Sequence, residues 1–189
     1  HVRPKVSYWA VGLCEAGAIF AYNFPHPPLT DRILSTLFDS SHSASALQTN
    51  PTLLLGTLLT TAGAYIRSRC YRALGQLFTF ELSVRKEHHL VTSGPYSIVR
   101  HPAYTGSFLA FAGIHTCLFG PGSLLRASGI LDTDVGKVII GAAAVHGAII
   151  AYFFISRTLA EDKVMKEKFG VEWDLWARRV PYRLIPGVF

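Results

Sequence analysis

The chain has 189 residues, half of them apolar and only 16% charged, with a net charge of +6. Ordinary soluble domains carry about 25% charged residues, and a soluble domain of this length has too little interior to hide so much apolar surface. The basic residues are interleaved with apolar stretches rather than gathered into a patch, which argues against nucleic acid and for a chain solvated by lipid and drawn to an anionic membrane face.

The chain opens on His1 rather than Met, so a preceding piece, with any targeting signal or extra helix, is expected. Four stretches approach the roughly 20 apolar residues that a membrane-crossing helix needs. They are Val6–Tyr22, Pro51–Ile66, Tyr104–Phe119 and Val138–Ser156. Each is slightly short, so flanking Tyr, Trp and Arg must finish it at the interface. Small residues recur in them: Gly12, Ala16 and Gly17 in the first, Gly56, Ala62 and Gly63 in the second, Gly141 to Ala144 in the fourth. Such residues let helix backbones approach closely in lipid. The expected fold class is all-α, a polytopic helical membrane protein. It forms a single domain over residues 1–189, with about four transmembrane helices and cytosolic amphipathic C-terminal helices.

With the N-terminus on the cytosolic side, the opposite side holds only Arg32, Arg126 and Lys137; every other Lys and Arg falls on the cytosolic side. That asymmetry fixes the orientation. The Ser-, Pro- and Gly-rich loops His26–Asn50 and Gly120–Gly136 are then lumenal and read as connectors. Cys14, Cys70 and Cys117 match no zinc or redox spacing, and no disulfide framework is expected. Glu15, inside the first span, is either a functional carboxylate or a packed structural one.

The informative residues lie between spans two and three and after span four. Leu74–Tyr104 carries Glu81, His88, His89, a Gly94-Pro95 turn and Arg100-His101-Pro102. Proline after His101 forces an extended residue just before the third helix starts. The free N–H groups of that helix start suit an anion such as a carboxylate. Arg157–Phe189 begins with Arg157 and Glu161, four apart on one helix face. It continues as an amphipathic helix ending at Gly170, then a short helix with Trp173 and Trp176 that Pro181 ends. Aromatic and basic together, this tail is expected on the membrane surface, with both tryptophans as interfacial anchors. His88 and His101 fit no zinc motif and lack a third ligand, so no metal is expected.

The runs His88-His89-Leu90-Val91-Thr92-Ser93-Gly94-Pro95-Tyr96 and Arg100-His101-Pro102-Ala103-Tyr104-Thr105-Gly106 resemble the cofactor segment of the isoprenylcysteine carboxyl methyltransferases. Arg157, Glu161-Asp162, Phe169-Gly170 and Val180-Pro181 resemble that family's C-terminal signature. The likeness covers about Leu74–Pro186 without the lumenal loop. It implies O-methylation of the C-terminal carboxylate of a prenylated cysteine, using S-adenosylmethionine, at the endoplasmic reticulum membrane with the catalytic side cytosolic. The cofactor segments would be residues 81–106 and 157–189. The implied cofactor contacts are Glu81, His88, His89, Leu90, Val91, Tyr96, His101, Pro102, Ala103, Tyr104 and Glu161. Arg157 would meet the substrate, and Arg100 would hold the cofactor carboxylate or orient the substrate. Implied partners are prenylated protein C-termini or a lipid substrate, and membrane lipids. No Gly-x-Gly-x-x-Gly follows a strand, in keeping with a membrane-type site.

The sequence departs from that pattern in places. Asp162 stands where a second Glu is usual, Trp173 and Trp176 stand where Tyr is common, and the ending Val180–Pro186 also resembles the ends of sterol reductases. Two other readings stay open: a phospholipid (ethanolamine) N-methyltransferase, which needs a base for its ammonium substrate, and a non-catalytic membrane scaffold.

Overall fold

The computed structural model describes residues 3–38, 50–75 and 89–189. Among them every regular element is helical. In chain order these are α1 (Arg3–Asn23), α2 (Leu29–Leu37), α3 (Pro51–Leu74), α4 (Pro102–Phe119), α5 (Leu124–Ala127), α6 (Asp134–Phe169) and α7 (Val171–Arg179). Single 3-10 turns lie at Gly94–Ser97 and Ile130–Asp132.

All four apolar stretches are helical. Pro102–Ala127 and Asp134–Phe169 are long and apolar enough to cross a bilayer, and no residue in the apolar window of the second is fully buried. Val138, Tyr152 and Phe153 are more than 60% exposed there, a surface that calls for a lipid solvent. At 1.5 Å per residue the 36 residues of α6 run about 54 Å, well beyond a hydrocarbon core of about 30 Å. The helix is therefore longer than a crossing requires, and the stretch from Arg157 onward continues it without a break.

Local signals set the helix ends. Asn50 caps α3, its side-chain oxygen accepting from the Leu53 N–H at 2.9 Å. Pro102 opens α4, where a missing N–H costs nothing. Thr133 caps α6 through the Gly136 N–H at 3.1 Å. Asp134 in the first turn of α6 and Lys166 and Lys168 in its last complement the helix dipole. Gly170, at φ +53°, turns the chain into α7.

The chain divides into two compact units, with α3, α4 and α6 contributing a segment to each. The first comprises His1–Leu58 and Ala112–Ala144. There the expected lumenal connectors prove to hold α2 and α5. Both are short, and their signal was masked by Pro, Ser and Gly around them. Glu15 is buried in this unit and accepts from the Leu124 N–H at 3.3 Å, which assigns it a structural contact.

The second unit comprises Leu59–Phe111 and Val145–Phe189. Its core gathers Cys70, Leu90, Tyr96, Trp173, Trp176 and Val180. The two tryptophans are 9% and 5% exposed, so they are core residues and not interfacial anchors. Both lie on the inner face of α7, and the Trp176 indole N–H donates to the Tyr96 carbonyl at 3.2 Å, which a membrane interface could not satisfy as specifically.

Backbones of α3 and α4 cross closely at Gly63 and Gly106. A methyl group on Gly63 would meet the Gly106 carbonyl oxygen at 2.4 Å and the Ala110 nitrogen at 2.5 Å. Gly63→Ala is expected to lower the thermal unfolding midpoint in detergent. Overpacking costs about 1–3 kcal/mol, against a helix-propensity gain of at most about 1 kcal/mol. Gly17→Ala in α1, where an added methyl meets nothing within 4 Å, is the comparison and should not lower it. A midpoint unchanged by Gly63→Ala would contradict the close crossing.

Candidate active site at the start of α4

Three pieces of the second unit converge where α4 begins: the Tyr96–His101 approach, the Arg157–Asp162 stretch of α6 and the C-terminal segment after α7. Backbone hydrogen bonds fix the first and third together. The Arg100 N–H donates to the Tyr182 carbonyl and the His101 N–H to the Arg183 carbonyl, both at 2.9 Å. The Thr105 hydroxyl, one turn into α4, donates to the Leu184 carbonyl at 2.7 Å. The extended backbone that Pro102 imposes on His101 leaves these N–H groups free to pair with the tail.

His101 is buried between two carboxylates of α6. Its Nε2 lies 2.8 Å from Asp162 Oδ1 and its Nδ1 lies 3.4 Å from Glu161 Oε2. Burial alone would lower the imidazole's affinity for a proton. The hydrogen bonds to Asp162 and Glu161, and their charges, outweigh it and raise the pKa above the ordinary value. His101 is thereby favoured as imidazolium, donating from both ring nitrogens.

The adjacent acids divide their contacts. Asp162, buried, takes the Arg183 Nε at 2.8 Å and the Arg100 Nη2 at 3.3 Å on its second oxygen. Glu161, 26% exposed at its side chain, accepts from the Tyr104 hydroxyl at 2.6 Å and from Arg157 Nε at 3.0 Å. For both acids burial pushes the pKa up, but the hydrogen bonds, His101 first, win and hold it below the usual carboxylate range. The Arg100 guanidinium also lies over the Trp173 ring, 5.6 Å from its centroid. Burial lowers the Arg100 pKa against the opposing pull of Asp162.

Most sequence-derived candidates thus fall in one place. Tyr96, Arg100, His101, Tyr104, Arg157 and Glu161 surround the start of α4, with Pro102 and Ala103 forming its first turn. Leu90 is buried and Val91 half-buried in the adjoining core, whereas His89 is exposed. Glu81 and His88 lie outside the described residues. Two residues of the network were absent from the candidates. Asp162 was visible only as a departure from a Glu-Glu pattern, and Arg183 carried no signal, since its partner is 21 residues away.

The cluster thus lies where apolar helices end, and among the described residues it is built from helices and turns alone. Residues 54–127 match the family model described as the isoprenylcysteine carboxyl methyltransferase (ICMT) family. The chain is 28% identical over 128 residues to protein-S-isoprenylcysteine O-methyltransferase B of Arabidopsis thaliana, covering 67% of this chain and 55% of that one. It is 28% identical over 137 residues to the protein-S-isoprenylcysteine O-methyltransferase of Saccharomyces cerevisiae, covering 71% and 49%. A Delta(14)-sterol reductase of Neurospora crassa is 27% identical over 128 residues, covering 57% and 25%, in line with the sterol-reductase likeness of the chain's ending. No solved structure matches. The resemblance read from the motifs is borne out: the chain is similar to the isoprenylcysteine carboxyl methyltransferase family over residues 54–127 and to curated methyltransferases of that name. It spans about half the length of the curated methyltransferases it matches.

The network sets a pH dependence of stability. His101 binds its proton more tightly folded than unfolded, so its contribution is complete below the ordinary histidine value and is lost as pH rises through the raised one. Asp162 and Glu161 behave oppositely, contributing above the ordinary carboxylate value and losing it as pH falls through the lowered one. The combined contribution is therefore fullest between about pH 4.5 and 6.5. Asp162→Asn leaves Arg100 and Arg183 facing a neutral amide. It should destabilise by about 3–5 kcal/mol and flatten both limbs of the stability–pH curve. Thermal unfolding across pH in detergent measures this, and a wild-type curve without curvature would contradict the assignment.

Proposed function

We propose that this chain is the methyl-transferring part of a protein-S-isoprenylcysteine O-methyltransferase. On this reading four helices hold it in the endoplasmic reticulum membrane, with the α4 start on the cytosolic side. S-adenosylmethionine donates the methyl group, and the acceptor is the C-terminal carboxylate of a prenylated cysteine. The observation that carries the reading is the meeting of Arg157, Glu161, Tyr104 and His101 in one cluster, in a chain whose relatives are named for this reaction. The four spans and the cytosolic side rest on the apolar helices α1, α3, α4 and α6 and on the one-sided distribution of Lys and Arg.

The residues present suit the cofactor. Glu161 is ionised and partly exposed, a fitting partner for the ammonium of its amino-acid part. The buried Trp173 Nε1 and Arg100 Nε have no hydrogen-bond partner among the described residues, donors to which a polar ligand group could be matched. Tyr96, Leu90 and Val91 supply the apolar wall. When bound, the cofactor supplies an electrophilic methyl group on a sulfonium.

The rest falls to the protein. The acceptor carboxylate is already ionised at neutral pH, its reference pKa being about 3.5, so no general base is required. Orientation and exclusion of water are the tasks, and proximity can supply roughly 7–11 kcal/mol. His101 and Tyr104 hold Glu161 from two sides, so its orientation does not depend on the ligand. Arg157, half-buried on the same face, is suited to orient the substrate carboxylate through its planar fork, which Lys cannot reproduce. Its grip must be loose, because the carboxylate loses charge as it reacts.

Purified protein given labelled S-adenosylmethionine and a farnesylated cysteine analogue should yield base-labile methyl ester. Label appearing only on phosphatidylethanolamine would replace the reading with N-methylation, and transfer to neither would favour a scaffold. Arg157→Lys should lower turnover at least tenfold, about 1.4 kcal/mol of transition-state stabilisation, with cofactor affinity nearly unchanged. An equal loss of cofactor affinity would move Arg157 into the cofactor site.

A further inference from the structure

The segment after α7 folds back onto α4. The Arg100 and His101 N–H groups donate to the Tyr182 and Arg183 carbonyls, and the Thr105 hydroxyl donates to the Leu184 carbonyl at 2.7 Å. Thr105 lies one turn inside α4, the start of a stretch long and apolar enough to cross a bilayer. Leu184, itself buried, is therefore held beside the point at which α4 becomes apolar.

Beyond it the chain closes on itself. The Leu184 and Ile185 N–H groups both donate to the Phe189 backbone oxygen, at 2.7 and 2.8 Å. The Val188 and Phe189 N–H groups both donate to the Ile185 carbonyl at 3.1 Å. Pro186 has no N–H, and Gly187, at φ +82°, completes a Pro-Gly turn. Apart from the Gly187 N–H, the backbone donors of residues 184–189 are thus spent within the turn. A segment so satisfied loses little by leaving water, whereas an open loop would leave its N–H groups orphaned.

The side chains of this turn nonetheless point away from the protein. Ile185 is 53% and Val188 76% exposed. Two exposed arginines, Arg178 and Arg179, end α7 shortly before, and residues 175–189 contain no Asp or Glu. Apolar side chains beside unopposed arginines suit the surface of an anionic bilayer. A second copy of the chain would bring the same arginines against them.

We propose that residues 184–189 form a lipid-binding turn. Ile185 and Val188 enter the acyl boundary of the bilayer, and Arg178 and Arg179 meet anionic phospholipid headgroups. The inference rests on the membrane part of the reading above and not on methyl transfer. The anchoring expected of Trp173 and Trp176 falls instead to this turn. Because the same segment pairs with Arg100 and His101, the bilayer steadies the junction beside Glu161.

The test places a nitroxide on Val188→Cys, and separately on Ile185→Cys, in the full chain carrying Cys14→Ser and Cys117→Ser; Cys70 is fully buried. Nanodiscs are made of phosphatidylcholine alone or mixed with phosphatidylserine, and the readout is accessibility to oxygen relative to a water-soluble nickel chelate. Val145→Cys, in the exposed apolar stretch of α6, is the lipid reference, and Glu167→Cys, exposed on the charged end of α6, the aqueous one. Labels at 185 and 188 should match the lipid reference, shift further toward oxygen with phosphatidylserine, and lose that shift with Arg178→Gln and Arg179→Gln. Labels that match the aqueous reference overturn the proposal, as does spin–spin broadening that reports a second copy on the turn. Insertion unchanged by phosphatidylserine overturns the headgroup assignment. An aqueous result at Val145 would overturn the membrane reading and this inference with it. Methyl transfer is scored separately in the same nanodiscs, and its failure would remove the reaction while the lipid contact stands.

Discussion

Asp162 can be ionised inside the second unit only because three cations surround it. A buried carboxylate without such partners would neutralise or destabilise the fold. Here His101 takes one oxygen, and Arg183 and Arg100 share the other. The cations come from two places: Arg100 and His101 from the residues just before α4, and Arg183 from the segment after α7. The carboxylate thus draws the tail onto the α4 start, and the backbone bonds from Arg100 and His101 to Tyr182 and Arg183 complete the junction. Without that junction His101 would have no fixed orientation, and Glu161 would lose one of the groups that hold it.

Consecutive positions on a helix point about 100° apart, and the chain uses that difference. Asp162 faces inward and organises; Glu161 faces the partly open side, between Tyr104 and Arg157. An Asp at the first position would reach less far than Glu. A Glu at the second would have to fit a longer stem among Arg100, His101 and Arg183. The length of α6 matters equally. One uninterrupted helix joins an apolar stretch to these acids, with no loop between them.

Much of this was legible in the sequence because it depends on local rules. Apolar runs marked α1, α3, α4 and α6, His101-Pro102 marked the start of α4, and the i,i+4 spacing put Arg157 and Glu161 side by side, as found. What was not legible depends on tertiary partners. Asp162 looked like a conservative departure until Arg183 and Arg100 were seen against it. Trp173 and Trp176 share the composition of interfacial anchors, and only their packing in one cluster with Cys70, Leu90 and Tyr96 makes them core. Gly63 looked like a general packing residue and Gly106 like part of a motif, whereas the first sets the α3–α4 crossing and the second lies against the Arg67 stem. The helices α2 and α5 were hidden by the Pro, Ser and Gly that flank them.

The central claim is that Asp162 and Arg183 act as one unit in building the site. A double-mutant cycle of Asp162→Asn and Arg183→Gln, read as S-adenosylhomocysteine affinity, tests it most directly. Coupling of about 1–3 kcal/mol is predicted, the double variant losing no more affinity than Asp162→Asn alone. Strict additivity of the two losses, or no loss from either, would contradict the account.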